Sequence, residues 1–133
     1  MLFRSQAGFT TGLPWMKVNP NYPDINVEQN LNDPDSIYHY YRKMIELRKS
    51  SDTLIYGTYD LIVEDHEQVY AYTRTLDDDR YVIIVNMFDQ ETRLDLSGEM
   101  TFTNLKMSNY HLDDELNPNM TLRPYEARVY QIK

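Results

Sequence analysis

Apolar and polar positions along this chain of 133 residues fall into three stretches with different rhythms. Residues 1–33 show no sustained period of two or of 3.6. Gly8, Gly12, Pro14, Pro20 and Pro23 punctuate them, with asparagines running from Asn19 to Asn32. Such punctuation predicts a long loop. A small self-contained domain seldom carries so long an irregular segment at one end, so this one is expected to have been shaped to lie on something else.

From Asp33 the signals change together. Asp33 can cap, Pro34 suits a first helical position, Asp35 sits favourably near the positive end of the dipole, and no glycine or proline follows until Gly57. A helix is predicted over about 34–50, the element closing by 51. Ile37, Tyr41, Met44 and Arg48 trace one stripe along it. Tyr40, Met44 and Leu47 trace another beside it, with Tyr38 and Ile45 further round. A helix lying on one sheet needs an apolar stripe of only about 100°. The wider arc implies apolar neighbours on two sides, and once one of them is removed it predicts an exposed strip that drives self-association.

Beyond Gly57 the period falls to two. Thr58–Val63, Val69–Thr75 and Arg80–Met87 are rich in tyrosine, valine and isoleucine, and the last two flank Asp77-Asp78-Asp79 as in an antiparallel hairpin. Glu91–Leu96, Met100–Ser108, Met120–Leu122 and Ala127–Ile132 fit further strands, parted by Ser97-Gly98, by the polar stretch Asn109–Asn119 and by Pro124-Tyr125. Seven short strands without an intervening helix predict an antiparallel β-sandwich or barrel over residues 54–133, with Greek-key connections. In the last strand Ala127, Val129 and Gln131 face one way and Arg128, Tyr130 and Ile132 the other. Neither set is cleanly polar, as in a strand partly covered on both faces. Asn86, inside the apolar run Val82–Met87, is expected to be a hydrogen-bonded core or edge amide rather than a ligand contact.

Composition narrows the function classes. Hydrophobic residues make up 41% and aromatics 13% of the chain, which is too much apolar surface for a disordered tail. A formal charge of −8 without a Lys/Arg cluster repels phosphate backbones and anionic lipid, so neither nucleic acid nor membrane is an expected partner. The chain has no cysteine, which excludes disulfides and thiolate chemistry and fits a reducing compartment. Met1–Gln6 lacks the apolar run of a signal peptide, and no run of about 18 apolar residues occurs anywhere. The cytoplasm is the expected location, and Asn119-Met120-Thr121 reads as turn chemistry rather than a glycosylation site.

The residues nominate no catalytic, cofactor-binding or metal-binding position, and no cofactor is expected. His39, His66 and His111 are widely spaced, and no HExxH or related motif occurs. Asp77-Asp78-Asp79 and Asp113-Asp114-Glu115 lack the alternation and glycine of a calcium loop and read as solvated turns. The serines lie in no nucleophile elbow, and four glycines form no phosphate cradle. Sugar hydrolysis by paired carboxylates needs two acids about 5–10 Å apart in a cleft. Among 21 acidic residues no pair stands out.

One feature of the sequence goes further than pattern. Ala7-Gly8-Phe9-Thr10-Thr11-Gly12-Leu13-Pro14-Trp15, then Val18-Asn19-Pro20-Asn21-Tyr22 and Ile25-Asn26-Val27, resembles the segment after the eighth barrel strand in glycoside hydrolases of the α-amylase superfamily, in the group of oligo-1,6-glucosidases, α-glucosidases, dextran glucosidases and trehalose-6-phosphate hydrolases. The resemblance continues through Asp35-Ser36-Ile37, Tyr40-Tyr41, Ile45-Glu46-Leu47-Arg48-Lys49 and Tyr56-Gly57. It closes with Leu122-Arg123-Pro124-Tyr125-Glu126-Ala127-Arg128-Val129-Tyr130.

This resemblance implies that the helix is the last one of a (β/α)₈ barrel absent from the chain, that residues 1–33 are a loop remnant of that barrel, and that the strands form the C-terminal β-sandwich domain. The family is one of retaining glycoside hydrolases, whose nucleophile, acid/base and stabilising carboxylates come from earlier barrel strands. None maps here, so the isolated chain is expected not to be an enzyme. The implied partner is the missing catalytic barrel, and an α-glucosidic oligosaccharide binds the parent only. Relatives carry a proline-methionine-glutamine-tryptophan block where this chain has Met1–Gln6, so a truncated, frameshifted or cut product is expected. The competing reading is an independent carbohydrate-binding module that stacks sugars on Trp15, Tyr22, Tyr110 or Tyr125. It requires two or three coplanar exposed rings, whereas a structural piece buries its aromatics.

Overall fold

The computed structural model describes residues 5–112 and 116–133, so the acidic run Asp113-Asp114-Glu115 lies outside the described residues. The chain divides into two units, Met1–Lys43 and Met44–Lys133.

The second unit is built on alternation. Its strands are β1 (Thr58–Ile62), β2 (Val69–Leu76), β3 (Asp79–Asn86), β4 (Thr92–Asp95), β5 (Phe102–Ser108), β6 (Asn119–Leu122) and β7 (Ala127–Ile132). Five form one sheet in the order β1-β2-β3-β7-β5, and β4 pairs with β6 in a second sheet. Every pairing is antiparallel. After β3 the chain crosses to β4, returns for β5, crosses again for β6, and slots β7 between β3 and β5. These are Greek-key connections of the expected kind.

Between the sheets, Val69, Ala71, Val82, Ile84, Phe102, Tyr130 and Ile132 meet Leu94, Leu96, Met120 and Leu122. Phe102 stacks on Tyr130 with centroids 4.2 Å apart and planes 10° from parallel. Each such aliphatic or aromatic side chain removed from water contributes roughly 1.5–3 kcal/mol. The opposite face of the larger sheet is covered in part. Leu54, Tyr72, Ile83, Met107 and Val129 line a hollow of about 230 Å³ together with Met44, Leu47 and Arg48. This explains why neither face of β7 reads as polar.

The fully buried amide and carboxylate of this unit are paired, whereas Arg74 Nε is buried without a hydrogen-bond partner. Asn86 is fully buried, donates from Nδ2 to the carbonyls of Gln90 (2.7 Å) and Arg123 (2.9 Å), and accepts from the Phe88 amide at 3.1 Å. It is the satisfied amide the sequence predicts. Glu126 is also fully buried; its carboxylate accepts from Arg128 Nε at 2.9 Å and from the Arg123 amide at 2.7 Å. Arg128 then donates to the Thr121 carbonyl at 3.2 Å, tying β7 to β6 in the second sheet.

Two local expectations change. The hairpin loop between β2 and β3 has only two residues, because Leu76 pairs with Asp79. Asp77 takes φ 50, a left-handed conformation that short polar side chains tolerate. Asp79 is therefore not a solvated turn residue: it accepts from Thr53 Oγ1 at 2.5 Å and from Gln131 Nε2 at 2.7 Å. The second change is a helix that the sequence rhythm did not indicate, α3 (Asp52–Tyr56), packed on β2 and β3. The Ser51 side chain caps it by accepting from the Leu54 amide. Arg48 and Arg74 donate to the carbonyls of Leu54 and Ile55 at its other end. Gly57 follows because a Cβ there would lie 2.5 Å from the Thr53 carbonyl oxygen and 2.9 Å from that of Thr75.

The first unit is held differently. It contains a 3₁₀ turn at Ser5–Gly8 and α1 (Val27–Asn32), and it enters α2 (Ile37–Lys49), which continues into the second unit. The Asn26 side chain caps α1 by accepting from the Gln29 amide at 3.0 Å and donates to the Tyr22 carbonyl at 3.1 Å. Ser36 Oγ donates to the Asn30 carbonyl at 2.6 Å, and His39 Nε2 lies 3.1 Å from the Leu31 carbonyl. Helix α2 starts later than position 34 because Ser36, not Asp33, is its cap: Ser36 Oγ accepts from the His39 amide, while Asp33 accepts from the amide of Asp35 in the turn before it. Among the described side chains of this unit only Ala7 and Ser36 are buried.

Candidate functional site

The residues that could carry catalysis remain scattered. Among the described residues no group of three or more His, Asp or Glu side chains could hold a metal ion. His66 spends both ring nitrogens on backbone groups: Nδ1 accepts from the amides of Gln68 (3.2 Å) and Val69 (3.0 Å), and Nε2 donates to the Arg93 carbonyl at 3.1 Å. Asp95 accepts from Ser97, hydroxyl and amide, which holds its carboxyl below the usual range, away from the raised value a general acid needs near neutrality. Burial opposes charge on Arg128, yet hydrogen bonds to Tyr130 and Glu126 keep its pKa above the ordinary arginine value. That pairing belongs to the core.

Two concavities among the described residues lie in the first unit. One, of about 660 Å³, is lined by Ala7, Phe9, Tyr22, Ile25, Val27 and Leu31 together with Asn26, Glu28 and Asn32. The other, of about 630 Å³, shares Ala7, Phe9 and Tyr22 and adds Leu13, Pro14, Trp15, Met16 and Val18 among others. They form an adjoining pair, and Glu28 and Lys17 are the charged residues in their walls. Local sequence explains the shape. The prolines and glycines keep the chain irregular, α1 presents Val27 and Leu31 four residues apart, and polar side chains fix the backbone so that apolar ones are left over. Phe9 is 83%, Leu13 97% and Trp15 92% exposed. A monomer rarely displays so many large apolar groups together. Chemically the site can exclude water and dock an apolar surface. It offers no acid–base pair.

Of the aromatics considered as sugar platforms, Trp15 and Tyr125 are well exposed, Tyr22 is half-buried in the wall shared by both hollows, and Tyr110 is 37% exposed. One face of the Tyr110 ring is occupied by the Arg123 guanidinium, 4.7 Å from its centroid. A separate cluster on the outer face of the larger sheet joins Tyr59, Tyr70 and Tyr72. Their rings are tilted by 36° and 49° at centroid separations of 5.2 and 5.6 Å, so they present no common plane. Sequence rhythm missed the α1 wall of the hollow. Asn26 followed by Gln29 was the available signal, since a capping residue with Glu or Gln three positions on marks a helix start.

Residues 3–57 match the α-amylase catalytic domain, and residues 59–129 match the C-terminal domain of maltogenic amylase. An oligo-1,6-glucosidase of Parageobacillus thermoglucosidasius is 47% identical over 130 residues, which is 96% of this chain and 23% of that protein. A trehalose-6-phosphate hydrolase of Bacillus subtilis (strain 168) is 37% identical over 95% of this chain and 23% of its own length. Among solved structures, an isomaltulose synthase from Klebsiella sp. LX3 superposes with a TM-score of 0.91 at 35% identity, covering 98% of this chain and 24% of that one. The trehalulose synthase of Pseudomonas mesoacidophila MX-45 gives 0.89 at 33% identity, with the same coverage. The chain spans about a quarter of the length of the curated relatives it matches.

Proposed function

This chain belongs to the α-amylase superfamily of glycoside hydrolases through its maltogenic-amylase C-terminal domain, and from that premise we propose that it is a non-catalytic C-terminal part of an α-glucosidase. In the parent, hydrolysis of α-1,6- or α-1,4-glucosidic bonds in oligosaccharides falls to the catalytic barrel. The sandwich supports that barrel, and residues 1–33 lie against it. The observation that carries this reading is the contrast within the chain. The stretch matched by the catalytic domain leaves Phe9, Leu13 and Trp15 in water, whereas the stretch matched by the C-terminal domain closes its own core. An apolar surface so lined is what remains of a larger core when most of that core is elsewhere.

The cytoplasm is the proposed location. No helix among the described residues is long and apolar enough to cross a membrane. The choice among isomaltose, dextran, sucrose and trehalose-6-phosphate rests with barrel loops. A carbohydrate-binding role has less behind it, because the tyrosine cluster is not coplanar and Tyr110 is covered on one face.

The purified chain should not hydrolyse nitrophenyl-α-glucoside or isomaltose. Turnover that co-purifies with the chain after rigorous removal of host glucosidases would overturn the reading. An open frame upstream of Met1 that encodes the barrel would supply the parent directly.

A further inference from the structure

We propose that the connector between β1 and β2, residues 63–68, is a pH-sensitive latch that holds to β4 while His66 is neutral and releases when His66 is protonated. The inference concerns the second unit alone and does not depend on the function proposed above.

The first observation is the hydrogen bonding of the ring. Nδ1 accepts two backbone N–H groups, those of Gln68 and Val69, which requires its lone pair. The proton of the neutral ring is then on Nε2, which donates to the Arg93 carbonyl in β4. A proton arriving from solvent can bind only at Nδ1, where it would face two N–H groups. Both bonds must break for the charged ring to settle.

The second observation is independent of the ring. Val63 has φ 51, although a β-branched side chain in the left-handed region is a true outlier. Its carbonyl accepts from the His66 amide at 2.9 Å, so the strained residue closes the turn that presents the imidazole. Strain of this kind persists only where surrounding contacts overdetermine the backbone. Here those contacts are the bonds to His66 and the packing of Val63 on the core.

The charges around the ring give the protonated state somewhere to go. Glu64, Asp65 and Glu67 belong to the connector itself, and Glu91 and Arg93 come from the β4 side. Asp65, Glu67, Glu91 and Arg93 line one shallow depression of about 520 Å³ with His66. A charged imidazole swung out of the turn meets three carboxylates and one guanidinium, so the loss of two backbone bonds is offset by ion pairing. Release leaves the Gln68 and Val69 amides without their acceptor at the start of β2, beside the core residue Val69.

The test uses amide exchange and imidazole nitrogen resonances on the whole chain. At about pH 8 the ring should show the Nε2–H tautomer. Between about pH 8 and about pH 5, the range over which histidine changes charge, protection of Gln68 and Val69 should fall about tenfold, the scale of one lost hydrogen bond. Protection at Thr73 and Ile84 should hold. His66→Asn keeps an acceptor oxygen near the Nδ1 position and cannot be protonated, so its Gln68 and Val69 amides should show no such step. An Nδ1–H tautomer, unchanged protection while the ring titrates, an equal loss at Thr73, or the same step in His66→Asn would each overturn the latch.

Discussion

Residues 44–133 take Val82, Ile84, Leu96 and Leu122 wholly out of water, while the unit before them leaves Phe9, Leu13 and Trp15 almost entirely in it. The two stretches draw on similar apolar residues; they differ in how the backbone groups are satisfied. In the second unit, ladders between strands pair the amides and carbonyls and force alternate side chains inward, so backbone pairing and burial come from the same geometry. In the first, Asn26, Gln29, Asn30 and Ser36 satisfy the backbone locally, and nothing in that arrangement turns apolar groups toward one another. Local order without closure gives a shaped surface rather than a core.

The sharpest way to break this comparison is to attack the closure. Glu126→Gln leaves Arg128, only 5% exposed, without its charge partner in the interior. Loss of one member of a buried pair typically destabilises by roughly 3–5 kcal/mol. Urea unfolding should show the midpoint collapsing with little change in slope. A variant within about 0.5 kcal/mol of the parent would mean that the Glu126–Arg128 pair is ornamental and that apolar packing alone closes the sandwich.

A paired substitution sharpens the contrast at smaller cost. Leu96→Ala removes a fully buried side chain and should destabilise by about 2–5 kcal/mol. Leu13→Ala, of the same chemistry, should change the unfolding free energy by no more than about 0.5 kcal/mol, since it alters a surface position. Its effect should show in association instead. Exposed apolar groups of the first unit, together with Ile37 and Tyr41 on α2, are expected to pair copies of the chain, and sedimentation of Trp15→Glu should shift the distribution toward monomer. A wild type that stays monomeric at high concentration would sink the association.

How far each region was legible follows from the same physics. Seven strands stand within about two residues of their expected positions, because period-two alternation is a local property that survives in any sequence with one buried face. Helices α1 and α3, of six and five residues, are shorter than two helical turns, so no rhythm could announce them. Only the caps Asn26 and Ser51 mark their starts. Asp33, Pro34 and Asp35 have the residue types of a helix start and predict an earlier beginning for α2 than the structure shows, whereas the Ser36 cap is visible only as a hydrogen bond. The bonds to Asp79 come from Thr53 and Gln131, 26 and 52 residues away, a separation that no local pattern encodes. The apolar hollow was not legible as a shape. The resemblance of Ala7–Trp15 to a barrel segment carried that part, and the residues alone predicted only a loop.

The smallest expected effect lies on the outer face of the larger sheet, where the second unit also exposes aromatics yet gives them partners. Tyr59 and Tyr70 join hydroxyls at 2.9 Å across β1 and β2. That hydrogen bond, ahead of desolvation and the neighbouring Tyr70, Tyr72 and Glu64 charges, pushes the Tyr59 phenol from 10.0 up to about 12. The folded chain therefore keeps its proton where the unfolded chain releases it. The contribution to stability is complete below about pH 10 and is lost as pH rises through about 12. Ultraviolet titration of the phenolates should place one tyrosine near the upper value in the parent. Tyr70→Phe removes the hydroxyl partner while keeping the ring, so Tyr59 should then titrate closer to 10, with the neutral-pH urea midpoint scarcely moved because the pair is solvent-exposed. An unchanged Tyr59 midpoint in that variant would assign the rise to desolvation and the Tyr72 and Glu64 charges. The exposed tyrosines would then differ from Trp15 and Phe9 only in position, and the claim that the second unit satisfies even its surface aromatics would fail.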